Sequence, residues 1–527
     1  MIRSRSRPRT ALFFILIASA ILRIGLVWKG GQNYFPDEIR YYRWNLLKHV
    51  AQRDFQGGLD YVLTQPQHTG FIFVASAVAP VHKLAIRLLR LPYGWETIKE
   101  TAWVPALFLC LVSVACIGLT YAVARRVGAG EREALIAAVL IASATVLFYY
   151  SRHLVPYDAS LALALLALWV GVNPRPAVWQ SAVCGVLAGL AFLTYNGYWL
   201  VAGLVLATHT LFRAKSFRQV LARGVVAGLS FAAVPVILTL ASIARGTKPF
   251  IVGMIDFARM WQGGYPPEGW SVPWAFLWHA EHGLLLAWGI GVVALAWFWL
   301  SRSEVCRARG TLWLAVVLGG YLIIALGSMG PTKFSIHGRT ARELVPFLSL
   351  ATACAVTALA ERWRWGRGMA ILGVAVLAGQ TLLNFYPAYV QQYPADFERR
   401  VKRQFGPVQR GFTIEGPKLE DLWLPEEDRA ADIAAATPGD EFVPGKSRYI
   451  LYNVKYLAPV YGPKPPRAGT VVARAAHPLQ FLPYAYEGYT PEERSILRST
   501  DISMRLVDIS SSSQSAEVGS TASRQGQ

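Results

Sequence analysis

Long apolar runs recur through the first 387 residues of this 527-residue chain, and they constrain its fold more than any other feature. Overall, 54% of the residues are hydrophobic and 16% are charged, and the mean hydropathy is +0.34. Soluble domains average about 45–50% apolar and about 25% charged residues. Because a membrane span needs about 20 mainly apolar residues, the pattern favours an all-α polytopic membrane protein over a water-soluble enzyme.

Eleven runs are candidate spans, centred near residues 20, 112, 141, 165, 186, 205, 232, 288, 319, 352 and 378. If the spans alternate, one side receives the loops MIRSRSRPRT, ARRVGAGERE, NPRPA, FRAKSFRQVLARG, SRSEVCRARG and ERWRWGRG, which hold 18 Lys and Arg. The positive-inside rule makes this side cytoplasmic. The absence of an Asn-x-Ser/Thr acceptor fits a bacterial origin. We therefore predict a multi-pass protein of the bacterial inner membrane with its N-terminus inside.

The chain changes character near residue 388. Residues 388–527 hold 17 basic and 17 acidic residues, which leaves 35 basic and 15 acidic residues to the first part. Basic residues between apolar runs suit anionic headgroups, so nucleic acid is not an expected partner. We predict a transmembrane domain over 1–388, in which the outer loop 29–100 carries interfacial helices. A small extracytoplasmic α/β domain over 389–509 and a disordered Ser-rich tail over 510–527 follow.

Three segments need individual interpretation. Residues 70–89 are apolar for only about twelve positions before Pro80, so we predict a helix lying at the membrane interface rather than a twelfth span. The first run resembles a signal peptide but continues to Trp28, which favours an uncleaved anchor. In the C-terminal domain, SRYILYNVKYLAPV and GTVVARA read as strands and PEERSILR reads as a helix.

Two acidic clusters are predicted at the outer face. The segment FPDEIRYYRWNLLKHV places apolar residues at helical spacing, which predicts an amphipathic surface helix with Asp37 and Glu38 in its first turn. Such carboxylates can serve catalysis or simply complement the helix dipole. The segment YYSRHLVPYD is predicted to be a short outer loop with Arg152 and His153, and Asp158 begins the next span. Placing a carboxylate at the start of a membrane span costs free energy unless the carboxylate is paired with a cation or faces a water-filled cavity.

A basic cluster lies in the predicted outer loop GPTKFSIHGRTARELVP. It contains Lys333, His337, Arg339 and Arg342, with only Glu343 in opposition. If the turn before the span is helical, Arg339 and Arg342 share a face. Such a loop suits either a phosphate in the outer leaflet or plain anchoring by arginine.

The order of these motifs resembles the GT-C fold glycosyltransferases, in the group related to dolichyl-phosphate-mannose protein mannosyltransferases and bacterial aminoarabinose lipid A transferases. The resemblance rests on Pro36-Asp37-Glu38 with Arg40-Tyr41, on QPQHTGFIF, on YYSRHLVPYDASLALALLALW, and on the basic loop leading into ELVPFLSLA. The chain departs from the pattern at Gln65-Pro66-Gln67-His68, where some relatives carry an acidic and basic pair. It departs again at Tyr195, where many relatives have lysine.

The resemblance implies transfer of a sugar from a polyprenyl-phosphate donor to an acceptor hydroxyl on a protein, glycan or lipid, with inversion. Asp37, with Glu38 beside it, would act as general base, Asp158 would orient the acceptor or the base, and Lys333, Arg339 and Arg342 would hold the donor phosphate. Further substrate contacts would come from Arg40, Tyr41, His68, Arg152, His153 and His337. A divalent cation assists some relatives, but no ligand set here identifies one. A lipid-linked sugar flippase and an O-antigen ligase or polymerase remain the alternatives.

Overall fold

The structure is a computed structural model of the chain. It describes residues 7–30, 32, 38–93, 97–98, 101–173, 177–260, 270–297, 301–329, 338–363, 365–385, 394–406, 409–412, 449–453, 470–475, 495 and 504–508. The chain forms two compact units. The first comprises Met1–Trp28 and Asp37–Phe385, and the second comprises Lys29–Pro36 and Tyr386–Gln527.

The described part of the first unit is helical. Its helices are α1 (Arg7–Lys29), α2 (Ile39–Arg43), α3 (Leu47–Ala51), α4 (Phe55–Thr64), α5 (Thr69–Leu88), α6 (Trp103–Arg126), α7 (Glu131–Ser143), α8 (Thr145–Tyr150), α9 (Tyr157–Gly171), α10 (Val178–Thr194), α11 (Trp199–Leu211), α12 (Phe217–Ala244), α13 (Phe250–Met260), α14 (Val272–Glu281), α15 (Gly283–Ala296), α16 (Glu304–Met329), α17 (Val345–Arg362) and α18 (Gly366–Phe385). Two 3₁₀ segments, Asn196–Tyr198 and Gly338–Leu344, precede α11 and α17.

The predicted helical membrane architecture is confirmed. Within the described residues, six helices are long and apolar enough to cross a membrane, and four shorter apolar helices accompany them. Each of the eleven predicted span centres falls inside a helix. The helix α5 runs unbroken through Pro80 and is one of the six, so its length also permits a crossing. Its position at the interface stays a prediction.

The predicted amphipathic helix after the first span is wrong in its extent, because the segment forms two short helices, α2 and α3. Asn45 separates them. Its side-chain amide donates to the Tyr42 carbonyl at 3.0 Å, and its side-chain oxygen accepts the Leu47 N–H at 3.0 Å. Asn competes well for backbone groups in this way, and these local bonds replace the hydrogen bonds of a continuous helix.

Glycines set the closest helix contacts in the bundle. A Cβ on Gly185 of α10 would collide with the Ala227 carbonyl of α12, and one on Gly70 of α5 would lie 2.8 Å from the Thr194 backbone. Small residues allow such close backbone approach between membrane helices. The helix α10 is thereby packed tightly against both α5 and α12.

Loops predicted to be cytoplasmic meet at one end of this bundle. Arg309 at the start of α16 binds Glu133 of α7, with 2.6 Å between Nη2 and Oε2, and donates to the Gly128 carbonyl at 3.0 Å. Nearby in the chain, the Ser301 hydroxyl donates to the Glu361 carboxylate at the end of α17, at 2.5 Å. Direct polar contacts therefore join three of the predicted cytoplasmic loops, namely ARRVGAGERE, SRSEVCRARG and ERWRWGRG.

The second unit contains one described helix, α19 (Pro394–Phe405), and a four-stranded sheet. The strands are β1 (Gln409–Phe412), β2 (Tyr449–Asn453), β3 (Thr470–Ala475) and β4 (Met504–Asp508), in the order β1-β2-β4-β3. The pair β1–β2 is parallel and the other two pairs are antiparallel. The predicted strands are found at β2 and β3. The predicted helix PEERSILR lies outside the described residues apart from Ser495.

Candidate functional site

Glu38 ties the start of α2 to the segment between α8 and α9. It is 1% exposed, and its Oε1 accepts the Leu154 N–H at 2.9 Å. The same oxygen lies 3.3 Å from Nδ1 of His153. Burial lowers the pKa of His153, although the Glu38 carboxylate opposes this shift. The contact therefore brings a predicted acidic residue and a predicted histidine together.

The segment Ser151–Pro156 is buried along its whole length, and its location at the outer face stays a prediction. The Glu38 carboxylate accepts the Leu154 N–H of this segment, and aromatic rings pack against its side chains. The Arg152 guanidinium lies 5.2 Å from the Tyr149 ring centre and is 1% exposed. Cation–π contact of this kind stabilises a guanidinium that has been removed from water.

Asp158 and Arg342 form a buried ion pair. Asp158 lies in the first turn of α9, where the helix dipole favours a carboxylate. Arg342 lies in the 3₁₀ segment before α17, and its Nη1 also donates to the Tyr198 hydroxyl at 2.9 Å. The pair joins two predicted clusters that are 184 residues apart in the chain.

A second buried cation interacts with the charge of the same carboxylate. Arg23 of α1 is fully buried and interacts electrostatically with Asp158. Its Nη2 donates to the Ala142 carbonyl at 3.3 Å, and its guanidinium lies 4.8 Å from the Phe148 ring centre. Two guanidinium groups therefore compensate the charge of Asp158, as a buried carboxylate requires.

Aromatic rings connect the separate polar contacts. The Tyr150 ring lies 6.4 Å from the His153 ring and 5.0 Å from the Tyr157 ring. The Tyr157 ring lies 4.7 Å from the Tyr195 ring, which stacks on His68 at 5.4 Å with 4° between planes. We call these five rings the aromatic bridge. It runs from the Glu38 contact past the Asp158–Arg342 pair to His68.

Two further predicted substrate contacts meet at the His68 end of the aromatic bridge. The Arg40 Nη1 and His68 Nε2 atoms are 2.9 Å apart. The Arg40 guanidinium also lies 5.4 Å from the Trp44 ring centre, and the Trp44 and His68 rings are 4.8 Å apart. His68 immediately precedes α5, so that helix sets its position.

Arg339 lies beside the bridge with Arg342. Its guanidinium is 5.6 Å from the Tyr157 ring centre, and that of Arg342 is 5.8 Å from the same centre. Residues three apart lie on one side of a 3₁₀ turn, which confirms the predicted shared face. Arg339 is half-buried, whereas Arg342 is fully buried.

The arrangement described so far does not include four predicted residues, three of which the structure does not describe. Asp37, Lys333 and His337 lie outside the described residues. Tyr41 is 3% exposed and packs in a cluster with Val27 and other buried residues of α1, α5 and α6. It also lines a cavity that none of the five rings of the aromatic bridge lines.

Two buried carboxylates were not predicted from the sequence. The Glu343 Oε2 accepts the Val201 N–H of α11 at 2.5 Å. Glu281 accepts the Thr145 and Val146 N–H groups of α8, both at 2.8 Å. The first N–H groups of a helix lack partners inside the helix. The sequence offers one indication of these contacts. The residues before the two helices, Ala144 and Tyr198, do not cap them with their side chains, so the N–H groups need an acceptor from elsewhere in the chain.

The described carboxylates do not fit a divalent metal ion. No three His, Cys, Asp or Glu side chains are grouped as a metal site requires within the part of the chain that the structure describes. Glu38 is bonded to a backbone N–H, and Asp158 is paired with Arg342. Carboxylates bound in this way are poorly placed as magnesium ligands, so no chemical step is assigned to a metal.

No family model and no curated protein matches the chain. Similar solved structures include ArnT from Cupriavidus metallidurans in the apo state, with a TM-score of 0.47 and 20% identity over 76% of this chain and 69% of that one. Another is the Archaeoglobus fulgidus oligosaccharyltransferase in the apo form, with a TM-score of 0.39 and 13% identity over 70% of this chain and 56% of that one.

Proposed function

We propose that this chain is an integral-membrane glycosyltransferase of the GT-C type. It transfers a sugar from a polyprenyl-phosphate donor to an acceptor hydroxyl at the outer face of the bacterial inner membrane, with inversion. The observation that carries the proposal is the aromatic bridge, along which the Glu38, Asp158–Arg342 and Arg40–His68 contacts come together. Acidic and cationic groups from four distant segments thus surround one region.

In this proposal Asp37 is the general base. The Glu38 carboxylate is occupied by the Leu154 N–H, so it acts as a positioning residue that holds the chain next to Asp37. The departing polyprenyl phosphate is already a stable anion. The reaction therefore needs a base for the acceptor hydroxyl and cations for the phosphate more than it needs a general acid.

The cations divide between two roles. Arg342 is neutralised by Asp158 and bonded to Tyr198, so we assign this pair to fixing the 3₁₀ segment against α9 rather than to direct phosphate binding. Arg339, three residues earlier and half-buried, is the described arginine assigned to the donor phosphate. Lys333 and His337 of the same loop are proposed to assist it. The Arg40–His68 pair, with Arg152 and His153, is proposed to contact the sugar or the acceptor.

The decisive test is sugar transfer by membranes containing Asp37→Asn. With a labelled polyprenyl-phosphate sugar, we expect transfer to fall at least about 100-fold, the usual contribution of a general base. Asp60→Asn is the matched control, because Asp60 lies in the same predicted loop but bonds Arg245 at 2.8 Å in an exposed position. It should retain transfer.

Undiminished transfer by Asp37→Asn would remove this residue from the mechanism. If the wild-type protein instead moved the lipid-linked sugar across vesicle membranes without transferring it, the flippase alternative would replace the enzyme.

A further inference from the structure

A cavity of ≈ 290 Å³ lies apart from the aromatic bridge, among α2, α3, α5 and the residues before α6. None of Glu38, His68, His153, Asp158 or Arg342 lines it. Its polar lining includes Tyr41 and Lys48 from the first two short helices and Lys83 from α5. Neither the proposed transfer reaction nor the packing of the Tyr41 ring accounts for the Tyr41 hydroxyl and the two ammonium groups.

The Tyr41 hydroxyl is a buried donor in this lining. Tyr41 is 3% exposed, and its hydroxyl has no hydrogen-bond partner among the described residues. Burial raises the pKa of Tyr41, so the phenol keeps its proton. A buried hydroxyl that finds no acceptor is unfavourable. The group is therefore set to donate to an oxygen atom brought in by a ligand.

The charged groups that line the cavity are cationic. Lys48 and Lys83 contribute ammonium groups, and no carboxylate is present among the described lining residues. The Lys83 ammonium lies 5.3 Å from the Tyr93 ring centre, which holds it at the cavity. His82, the remaining titratable group apart from the tyrosines, is engaged by the Thr101 hydroxyl at 2.8 Å. Two ammonium groups and a phenolic donor suit a phosphate.

Part of the lining is apolar. Ala79 and Ile86 of α5 line the cavity beside Lys83. On the outer surface of the same helix, Val81, Leu84 and Leu88 are 57%, 54% and 74% exposed. An exposed apolar helix surface next to a cationic cavity is expected where a lipid chain and its headgroup are bound together.

We propose that this cavity binds the phosphate headgroup of an anionic membrane lipid. Lys48 and Lys83 contact the phosphate oxygens, the Tyr41 hydroxyl donates to one of them, and the acyl region lies against Ala79 and Ile86. The site is separate from the proposed catalytic region and does not depend on the proposed function.

The test is a binding titration of the purified full-length protein in neutral detergent. The probes are dihexanoyl phosphatidylglycerol, dihexanoyl phosphatidylcholine and inorganic phosphate, followed by calorimetry. We expect preference for phosphatidylglycerol. A basic residue near anionic lipid contributes enough that Lys48→Gln or Lys83→Gln should each weaken binding about fivefold, and the double variant about 25-fold. Tyr41→Phe, which removes one donor, should weaken it about three- to tenfold.

Arg87→Gln is the matched control. Arg87 is exposed one turn after Lys83 on α5 and does not line the cavity, so its replacement should leave the affinity unchanged. An equal loss in Arg87→Gln and Lys83→Gln would overturn the site, because general surface charge would then explain binding. Equal affinity for the two phospholipids would overturn it as well. Inorganic phosphate binding as tightly as phosphatidylglycerol would overturn the lipid assignment. Thermal unfolding of each variant verifies that it is folded, and sugar transfer is not a readout.

Discussion

Removal of Arg342 should expose how strongly the site depends on its buried ion pair. Arg342→Ala leaves Asp158 buried without its direct partner, and breaking a buried pair in this way costs about 3–5 kcal/mol. The same change breaks the hydrogen bond to Tyr198. Arg23 still interacts with Asp158 and offsets part of the loss. We therefore expect destabilisation near the lower limit, about 3 kcal/mol.

A double-mutant cycle separates the pair from its surroundings. Asp158→Asn removes the buried charge, so adding Arg342→Ala to it should cost less than in the wild type, with a coupling energy of about 1–3 kcal/mol. The measurement is reversible unfolding in mixed micelles of increasing denaturing-detergent fraction, followed by circular dichroism. The Asp60–Arg245 pair is the control, because its side chains are 38% and 31% exposed and water screens their interaction. It should show no measurable coupling. If the Asp158–Arg342 cycle is additive to within about 0.5 kcal/mol, the pair has no special role.

Three other predictions follow from the described contacts. Arg339→Ala should weaken binding of the polyprenyl-phosphate donor by an amount that shrinks as salt is added, and an unchanged affinity would show that the loop only anchors the protein. Burial lowers the pKa of His153 below its ordinary 6.5. Just below pH 6.5, His153 is therefore protonated in the unfolded chain and still neutral in the folded chain. Stability should therefore fall as the pH drops below 6.5, and His153→Gln should flatten this decline; parallel curves for the two proteins would contradict the reasoning. Gly185→Ala should cost about 1–3 kcal/mol by collision with the Ala227 carbonyl, while Gly228→Ala, whose Cβ meets nothing within 4 Å, should not destabilise; equal unfolding midpoints for the two variants would refute the packing argument.

The sequence alone determined where the apolar helices of the first unit lie, and alternation of the spans predicted which loops lie together. A run of about 20 apolar residues forms a helix in lipid because every backbone polar group must be satisfied within the segment. This requirement is local, and each predicted span centre accordingly falls in a helix. The strands β2 and β3 were also visible as short β-branched and aromatic runs. Alternation of the spans placed Glu133 and Arg309 at the same end, where they form a salt bridge.

Only the tertiary structure decided how the polar groups are paired. Arg342 was predicted to hold a phosphate, yet its partner is Asp158, 184 residues away. The carboxylate that caps α11 comes from Glu343, 142 residues after the N–H that it accepts. Even the short break between α2 and α3 depends on whether Asn45 bonds the backbone or faces solvent. A buried charge or an unsatisfied N–H has to be compensated, but which group compensates it depends on how closely helices from distant parts of the chain pack together.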